Sequence, residues 1–220
     1  MNSKEQILNT LRQSQVKKSP EIPPVTADSE FYSDTVPSKE TMIPQFEKRL
    51  TQLRGDFFPF HKTAEAAEFL QRMIIEYGSD SCLSYNFELL HTLITSKTSL
   101  KKHIKFISDQ LIPAAEFAQY EVGITAADYL IARTGSVVVS STNGGGRRLS
   151  ILPPVHIVLA TPSQLVFSLE DVWINISDRQ NDWSTLSIIS GPSRTSDIEK
   201  QLVLGAHGPK RLVVILIDTE

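Results

Sequence analysis

Glycine, hydroxyl and arginine residues are concentrated in four short segments between residues 127 and 209 of the 220-residue chain. The segments are ADYLIARTGS (127–136), GGGRRLSILPPVHI (144–157), GPSRTSDIE (191–199) and GAHGP (205–209). Glycine lets a backbone approach a ligand closely, turns of free backbone N–H groups attract anions, and arginine holds carboxylate or phosphate through two parallel hydrogen bonds. These residue types predict a site for a small carboxylate or a phosphate-bearing ligand.

Two loops are predicted to form the centre of this site. Ligands of open parallel sheets bind beyond the carboxyl ends of the strands, and the TGS and GPS sequences each adjoin a predicted strand. The residues assigned to ligand binding are Thr134, Gly135, Ser136, Gly191, Pro192, Ser193, Arg194 and Thr195. Taken alone, GPS is explained as well by a tight turn into a helix capped at Thr195 or Ser196, but the neighbouring ARTGS sequence favours an anion site.

A glycine-rich loop followed by two arginines is predicted to cover the site. Gly145, Gly146 and Arg147 are assigned to ligand binding, because a guanidinium on a flexible loop can grip a carboxylate through two hydrogen bonds. The alternative is a hairpin tip carrying two solvated arginines, Arg147 and Arg148. The residues alone support both interpretations equally.

Two histidines lie inside the four segments, and either can act as an acid or base near neutral pH. His156 follows two prolines on an apolar strand, which favours a hydrogen-bonded structural role. His207 lies in a glycine-flanked loop and is assigned to ligand binding, although bracing the loop is the commoner role of such a residue. His61, His91 and His103 show no metal-ligand spacing and are predicted to be surface or core residues. No catalytic residue is identified.

Composition argues against several classes of protein. A net charge of −3 and a pI near 6.0 argue against a nucleic-acid-binding protein. No apolar run approaches the roughly 20 residues that span a bilayer, so a soluble, cytoplasmic protein without a membrane span is expected. Cys82 is the only cysteine, which excludes a cysteine-ligated iron–sulfur cluster built by this chain alone. No metal, flavin or nicotinamide cofactor is predicted, because neither a ligand cluster nor a G-x-G-x-x-G after a strand is present.

The domain organisation is predicted to have two parts. Residues 1–40 are expected to form a short helix and an extended, proline-rich linker, and residues 41–220 an α/β domain. The helix has one apolar edge and is marginal by itself, so it either docks on a partner or on a second copy of the chain, or packs loosely on the surface. A homo-oligomer is therefore possible.

The α/β domain is predicted from its apolar periodicity. Helical faces begin at Pro44 and Thr63, and short strands are predicted at Asp56–Phe60 and Ser81–Tyr85. Four β-branched runs are predicted to be strands buried on both faces: Val137–Val139, Val155–Leu159, Leu186–Ile189 and Leu212–Ile217. A helix starting at Ser168, with Asp171 in a capping position, is predicted to bury Leu169, Val172, Trp173 and Ile176. This alternation predicts a mostly parallel sheet flanked by helices.

The four segments together resemble the LUD-domain family, in its lactate utilization protein C group. Members of that group show an alanine-aspartate strand ending in TGT or TGS, then R-x-L-S-x-L-P-P-x-H-I, GPS-x-T-x-D-I-E and G-x-HGP. The resemblance implies a NagB/RpiA/CoA-transferase-like fold, and the R-x-L-S spacing aligns Arg147 rather than Arg148 with the motif arginine. Many members have an acidic or small residue where Arg133 stands, which puts an acid–base role for that position in doubt.

The resemblance also implies a function. It points to a non-redox subunit of a bacterial L-lactate utilization system, in which iron–sulfur partner subunits carry the electrons while this chain binds a small carboxylate or organises the partners. The alternative is a free-standing enzyme or binding protein for a phosphorylated or CoA-linked metabolite, by analogy of architecture. A third hypothesis is an interaction protein with a vestigial pocket. A stable complex with cluster-bearing proteins favours the first hypothesis, and turnover by the isolated chain favours the second.

Overall fold

The computed structural model describes residues 4–5, 37–78, 80–107, 113, 117, 119–141, 147–176, 184–195, 203–204 and 208–218. Its contacts divide the chain into Met1–Val36 and Pro37–Glu220, and every element named below belongs to the second unit. Most of the predicted N-terminal helix and linker lies outside the described residues. The division at residue 40 therefore stays a prediction.

Helices and strands alternate up to residue 106, and strands predominate among the described elements that follow. The helices are α1 (Lys39–Gln52), α2 (Thr63–Glu76), α3 (Glu88–Ser96), α4 (Arg147–Ile151) and α5 (Leu169–Ile176), and 3-10 helices span Thr98–His103 and Pro162–Gln164. The first strands are β1 (Asp56–Phe60), β2 (Cys82–Ser84), β3 (Ile104–Phe106), β4 (Val122–Ala126), β5 (Tyr129–Ile131) and β6 (Ser136–Ser140). The later strands are β7 (Val155–Ala160), β8 (Leu165–Val166), β9 (Leu186–Ile189), β10 (Arg194–Thr195), β11 (Val203–Leu204) and β12 (Arg211–Ile217).

The main sheet has six parallel strands in the order β1-β12-β7-β4-β2-β3. All six residues of β7 are buried, as expected of a strand covered on both faces. Side chains of α2 and α3 pack on one face of the sheet, and those of α1 pack on the other. The predicted α/β class, with a mostly parallel sheet flanked by helices, is confirmed.

A second, smaller sheet has the order β8-β5-β6-β9, with antiparallel pairs β5/β6 and β6/β9. The predicted strands at 137–139 and 186–189 therefore exist but do not belong to the parallel sheet. The connection between β5 and β6 is four residues long, too short for the crossover that parallel neighbours need. Burial on both faces is also wrong for β9, because Ile188 is 42% exposed.

Helix predictions hold where apolar residues recur at helical spacing over several turns. Helix α2 begins at Thr63 as predicted, whereas α1 begins at Lys39 and includes Pro44 in its interior. The cap of α5 is confirmed, since the Asp171 carboxylate accepts hydrogen bonds from Ser168 N at 2.7 Å and Ser168 Oγ at 3.0 Å. Burial of Trp173 is wrong: it lies about 100° around the helix from Val172, which is buried, and is 50% exposed.

Candidate functional site

The TGS and GPS segments meet through a chain of three hydroxyl groups. Thr134 Oγ1 donates to Ser136 Oγ at 2.8 Å, and Ser136 Oγ lies 2.8 Å from Ser190 Oγ, the residue before GPS. Ser136 is buried, while Thr134 and Ser190 are exposed at the two ends of the chain. The antiparallel pairing of β6 with β9 causes this meeting, because it brings the start of one strand beside the end of the other. The two segments are thus neighbours in space.

The glycines of both segments pack against the C-terminal end of α1. Gly135 has φ +67°, and a Cβ built on it would lie 2.4 Å from the backbone N of Leu50. Gly191 has φ +92°, and its Cβ would lie 2.6 Å from the carbonyl oxygen of Leu53. Close contact with the C-terminal end of α1 therefore requires glycine at both positions. A helix C-terminus also carries partial negative charge, which makes this contact unfavourable for an anion in the same space.

The position of the two loops relative to the main sheet differs from the prediction. Helix α1 leads through Gly55 directly into the amino end of β1, so segments that contact Leu50 and Leu53 lie on the amino side of the parallel sheet. The expectation that they lie beyond the carboxyl ends of parallel strands is wrong, because their own strands belong to the antiparallel sheet. Ligand binding by these residues stays a prediction.

Backbone hydrogen bonds connect GPS to the other segments. Ser193 N donates to Pro209 O at 2.9 Å, and Cβ of Ser193 would lie 3.2 Å from a side chain placed on Gly208. Lys210 N then donates to Pro154 O at 2.7 Å, at the amino ends of β12 and β7. Described residues of all four segments therefore take part in one connected framework that includes the TGS–GPS contact.

The aspartate of the first segment braces the second sheet. Ser140 N and Ser140 Oγ donate to the Asp128 carboxylate at 2.5 and 3.1 Å, and Asp128 N donates to Val138 O at 2.8 Å. These bonds tie the residue before β5 to the end of β6. These hydrogen bonds give a structural reason for an aspartate at position 128.

Arg147 and Arg148 occupy different environments at the start of α4. The guanidinium of Arg148 lies over the Phe117 ring, 5.0 Å from its centroid, whereas Arg147 is exposed. Between described residues, no hydrogen bond links the Arg147 side chain to the TGS or GPS loop. The preceding residues Gly145 and Gly146 lie outside the described ranges, so the predicted lid stays a prediction.

His156 is completely buried, in line with the structural role that its sequence context favoured. Its Nε2 lies 2.8 Å from Thr125 Oγ1, and burial lowers the pKa of the imidazole to about 3. Nδ1 has no hydrogen-bond partner among the described residues. A histidine held neutral in this way is poorly suited to take up protons near pH 7. His207 lies outside the described residues, and His61 and His91 are exposed.

The remaining residues assigned to the site lie on the segment between Gly191 and β10. Pro192 is buried, Ser193 is partly buried and Arg194 is exposed. Arg194 and Thr195 form β10, which pairs with Val203 and Leu204. The helix predicted to follow Thr195 falls outside the described residues.

A cleft that sequence reasoning missed opens at the carboxyl ends of the parallel strands. Strand β2 connects through α3 to β3 on one side, whereas its other neighbour β4 connects toward β7 on the opposite side. Such a topological switch point is where open α/β sheets bind ligands. This switch-point cleft has a volume of about 410 Å³ and is lined by Phe87, Glu88, Thr92, Ala126, Ala127 and Gln164. Its existence depends on strand order, which no local sequence pattern reveals.

The switch-point cleft is held in shape by Gln164. The Gln164 side chain accepts a hydrogen bond from Thr161 N at 2.7 Å and donates through Nε2 to Ala127 O. Thr92 Oγ1 donates to Glu88 O at 3.1 Å within α3. The lining includes Phe87, Glu88 and Leu89 at the start of α3, where the first backbone N–H groups of a helix have no partner within it.

Other classes of site are not formed by the described residues. In these ranges, no three His, Cys, Asp or Glu side chains come together as a metal site would need. Nor does any helix in the described part of the chain have the length and apolar character to cross a membrane. Cys82 is buried, and burial raises the pKa of its thiol, so it lacks the accessible thiolate that binds metals or reacts.

Comparison with known proteins gives consistent matches. The model of a family described as LUD domain matches residues 43–217. A lactate utilization protein C of Halalkalibacterium halodurans is 28% identical over 206 residues, which cover 89% of this chain and 87% of that protein. The protein of the same name from Macrococcus caseolyticus is 32% identical over 158 residues, covering 69% of this chain and 67% of that one.

One solved structure shares the fold. The crystal structure of a DUF162 family protein from Deinococcus radiodurans matches with a TM-score of 0.61 and 18% identity. The match covers 82% of this chain and 99% of that chain. At this level of identity the likeness concerns the fold alone.

Proposed function

Since the chain belongs to the LUD domain family, we propose that it is a cytoplasmic, non-redox component of a bacterial L-lactate utilization system. Two relatives that match most of its length carry the name lactate utilization protein C. The structural observation that supports the proposal is the connected framework of the four segments, which runs from Thr134 through Ser190 and Ser193 to Pro154. The framework holds together segments that lie far apart in sequence, as a function shared by the four segments would require.

Electron balance explains why partner subunits belong to the proposal. Oxidation of L-lactate to pyruvate releases two electrons and two protons, which an acceptor must take up. Cys82 is the only cysteine of the chain and is buried, so this chain offers no cysteine ligands for a cluster. In the proposed system, iron–sulfur partner subunits accept the electrons.

The exposed part of the framework is the proposed contact with these partners. Four exposed residues of the TGS and GPS segments and their direct neighbours, Arg133, Thr134, Ser190 and Arg194, are together called the motif surface. It carries two guanidinium groups and two hydroxyls, which suit an acidic protein surface. The neighbouring Gly135 and Gly191 are already packed against α1, which favours an outer contact over an enclosed ligand pocket.

A small carboxylate is proposed to bind at Arg147. Its guanidinium is exposed, whereas that of Arg148 is stacked on Phe117. An exposed guanidinium can form two parallel hydrogen bonds to a carboxylate, at about 1.5–3 kcal/mol for each charge-assisted bond.

The test is growth on L-lactate of a host that lacks its own copy of the gene. Arg147→Ala should abolish complementation and leave the melting temperature within a few degrees of the unchanged protein. Arg148→Ala is the matched control, and it should retain growth if its stacking on Phe117 is its main role. Normal growth of Arg147→Ala would refute carboxylate binding there, and unfolding of that variant would make the arginine structural.

The partner contact has a separate test. Arg133→Glu combined with Arg194→Glu should reduce co-purification of the cluster-bearing subunits, because both charges of the motif surface are reversed. Arg72→Glu reverses an exposed charge on α2, which covers one face of the main sheet, and serves as the control. Equal co-purification by the two charge-reversed proteins would refute the motif surface as the contact.

The switch-point cleft favours a second candidate function. A cleft of about 410 Å³ at the carboxyl ends of parallel strands is the usual position of a small-molecule site in such folds, and supports a free-standing enzyme or binding protein for a phosphorylated or CoA-linked metabolite. Turnover or tight binding of such metabolites by the isolated chain, lost in Gln164→Ala, would support this function. Absence of both activities from the isolated chain would refute it.

A further inference from the structure

Four strands in the described part of the chain lie at the edges of the two larger sheets: β1 and β3 in the main sheet, and β8 and β9 in the second. The outer side of an edge strand presents backbone N–H and C=O groups that can pair with another chain. Proteins commonly protect such an edge with a proline, with a charged side chain or by keeping the strand very short. Strand β9 is the one of these four that has no such protection.

The edges at β1, β3 and β8 are each protected by an identifiable feature. In β1, Phe60 O accepts a hydrogen bond from Asp218 N, so Phe60 and its alternate residues bond to β12, whereas Phe57 and Pro59 face outward. The outward Pro59 has no N–H to offer to another strand. Strand β3 has three residues with the exposed Lys105 in the middle, and β8 has only two residues.

Strand β9 directs unprotected backbone groups outward. Ser141 N donates to Thr185 O at 2.8 Å, and this pair continues the antiparallel register of β6 with β9. Since alternate residues bond to the neighbouring strand in such a register, Leu186 and Ile188 direct their N–H and C=O groups away from β6. No other strand of the described residues pairs with that side of β9.

The side chains of this edge also suit contact with another strand. The sequence of β9 is LSII, and the residues from 184 to 193 include no charged side chain. Ile188 is 42% exposed, although it lies in a strand. Leu186, on the same face of the strand, packs only partly against the cluster that contains α5. An approaching strand would therefore meet apolar side chains and no opposing charge.

The outward groups of β9 are complementary to those of a second copy. When two β9 strands run antiparallel about a two-fold axis at Ser187, Leu186 of each copy lies opposite Ile188 of the other, and each such pair exchanges two hydrogen bonds. All outward N–H and C=O groups of both strands are then paired. The leucine and isoleucine side chains meet on one face and the two serines on the other, so no like charges lie opposite each other. Symmetry supplies this match without a second partner sequence.

We propose that β9 pairs with β9 of a second copy, so that the chain forms a weak homodimer through one continuous sheet. Strand β9 has four residues, against roughly 20–30 residues on each side of a stable interface. We therefore expect a dissociation constant of about 10 μM to 1 mM. Ser190 of the motif surface directly follows β9, so a dimer presents two motif surfaces. The inference is independent of the proposed function, because it concerns the isolated chain.

Sedimentation equilibrium of the full-length protein, from about tenfold below to tenfold above this range of concentration, measures the association. Ile188→Pro gives β9 the protection that β1 has, and Ile188→Lys gives it a charge like that in β3. Each should raise the dissociation constant at least about tenfold. Ile75→Lys is the matched control, since Ile75 is 48% exposed on α2, and it should leave the dissociation constant unchanged.

A cross-link tests the register of the pairing. Residues opposite each other in a non-hydrogen-bonded antiparallel pair have Cα atoms about 4.5 Å apart, close enough for a disulfide. Ser187→Cys should therefore form covalent dimers under mild oxidation, and the native Cys82 is buried and does not compete. Ser184→Cys is the control, because position 184 is exposed but its two copies would lie about 20 Å apart along the strands.

Circular dichroism and thermal melting establish that each variant is folded. The proposal is refuted if the unchanged protein is monomeric over the whole concentration range. It is also refuted if Ile188→Lys dimerises as well as Ile75→Lys, or if Ser184→Cys cross-links as readily as Ser187→Cys, because the contact then lies elsewhere on the chain. If Ile188→Pro unfolds, Ile188→Lys and the cross-link decide the question.

Discussion

Replacement of Gly135 by alanine separates a packing role from a ligand-binding role for the TGS loop. A Cβ at this position would lie 2.4 Å from Leu50 N and 2.7 Å from the carbonyl carbon of Arg49. Both are backbone atoms of α1, so no side-chain rotation can relieve the contact. Either the helix or the β5–β6 connection must move, and Leu50 is fully buried in the core.

The expected loss of stability has two parts. Gly135 has φ +67°, a conformation that costs an alanine about 1–2 kcal/mol. Displacing a packed helix adds about 1–3 kcal/mol, the usual cost of overfilling a core. Together these effects should lower the free energy of unfolding by about 2–5 kcal/mol, a large share of the stability of a typical domain.

Gly78→Ala is the matched control. Gly78 also has a positive φ, +113°, but its Cβ would meet only Ser81 side-chain atoms at 3.5 and 3.6 Å, which is ordinary contact. Alanine there suffers backbone strain without a collision. In urea unfolding followed by circular dichroism, Gly135→Ala should therefore be less stable than Gly78→Ala by about 1–3 kcal/mol. Equal losses of unfolding free energy in the two variants would refute packing against α1 as the reason for this glycine. Ligand binding would then be the better explanation of Gly135.

Three further outcomes are expected. The free energy of unfolding should fall as the pH is lowered from 6.5 toward 3, because His156 takes up a proton in the unfolded chain but resists it when buried, and its pKa in the folded protein is about 3. His156→Gln should remove up to about 1.4 kcal/mol per pH unit of that slope, and an unchanged slope would contradict the burial argument. Arg211 Nε lies 2.6 Å from Asp56 Oδ2 with both side chains partly exposed, so a double-mutant cycle of Arg211→Ala and Asp56→Ala should give a coupling of about 1 kcal/mol or less. Limited proteolysis followed by mass spectrometry should cut residues 15–40 before residues 121–220, and equal resistance would indicate that the proline-rich segment is packed.

The parallel sheet was predictable because its central strands are continuous apolar runs. Val155–Ala160 and Arg211–Ile217 are covered on both faces, and this burial appears directly in their residue types. The strands β6 and β9 of the second sheet carry the same β-branched residues, although one face of β9 is partly exposed. Composition therefore identifies a strand but not the sheet to which it belongs. Strand direction follows from connection length, here the four residues between β5 and β6.

The sequence also could not show which polar residues meet at the carboxyl edge of the main sheet. His61, Thr161 and Asp218 are isolated polar residues after apolar strands, and nothing in their spacing relates one to another. They become neighbours only because β1, β12 and β7 are adjacent in the sheet. The order of the strands is a long-range property, set by which faces must be buried together.

A glycine in a sequence motif indicates that another group lies close to the backbone, but it does not identify that group. At Gly135 and Gly191 the neighbour is the end of α1, and at Gly123 a Cβ would lie 2.5 Å from Leu149 O of α4. These glycines are explained by packing, as Asp128 is explained by its bonds to Ser140. Packing between described residues does not explain an exposed arginine at 147. Residues that remain without a structural reason once packing is accounted for are the ones at which function should be tested first.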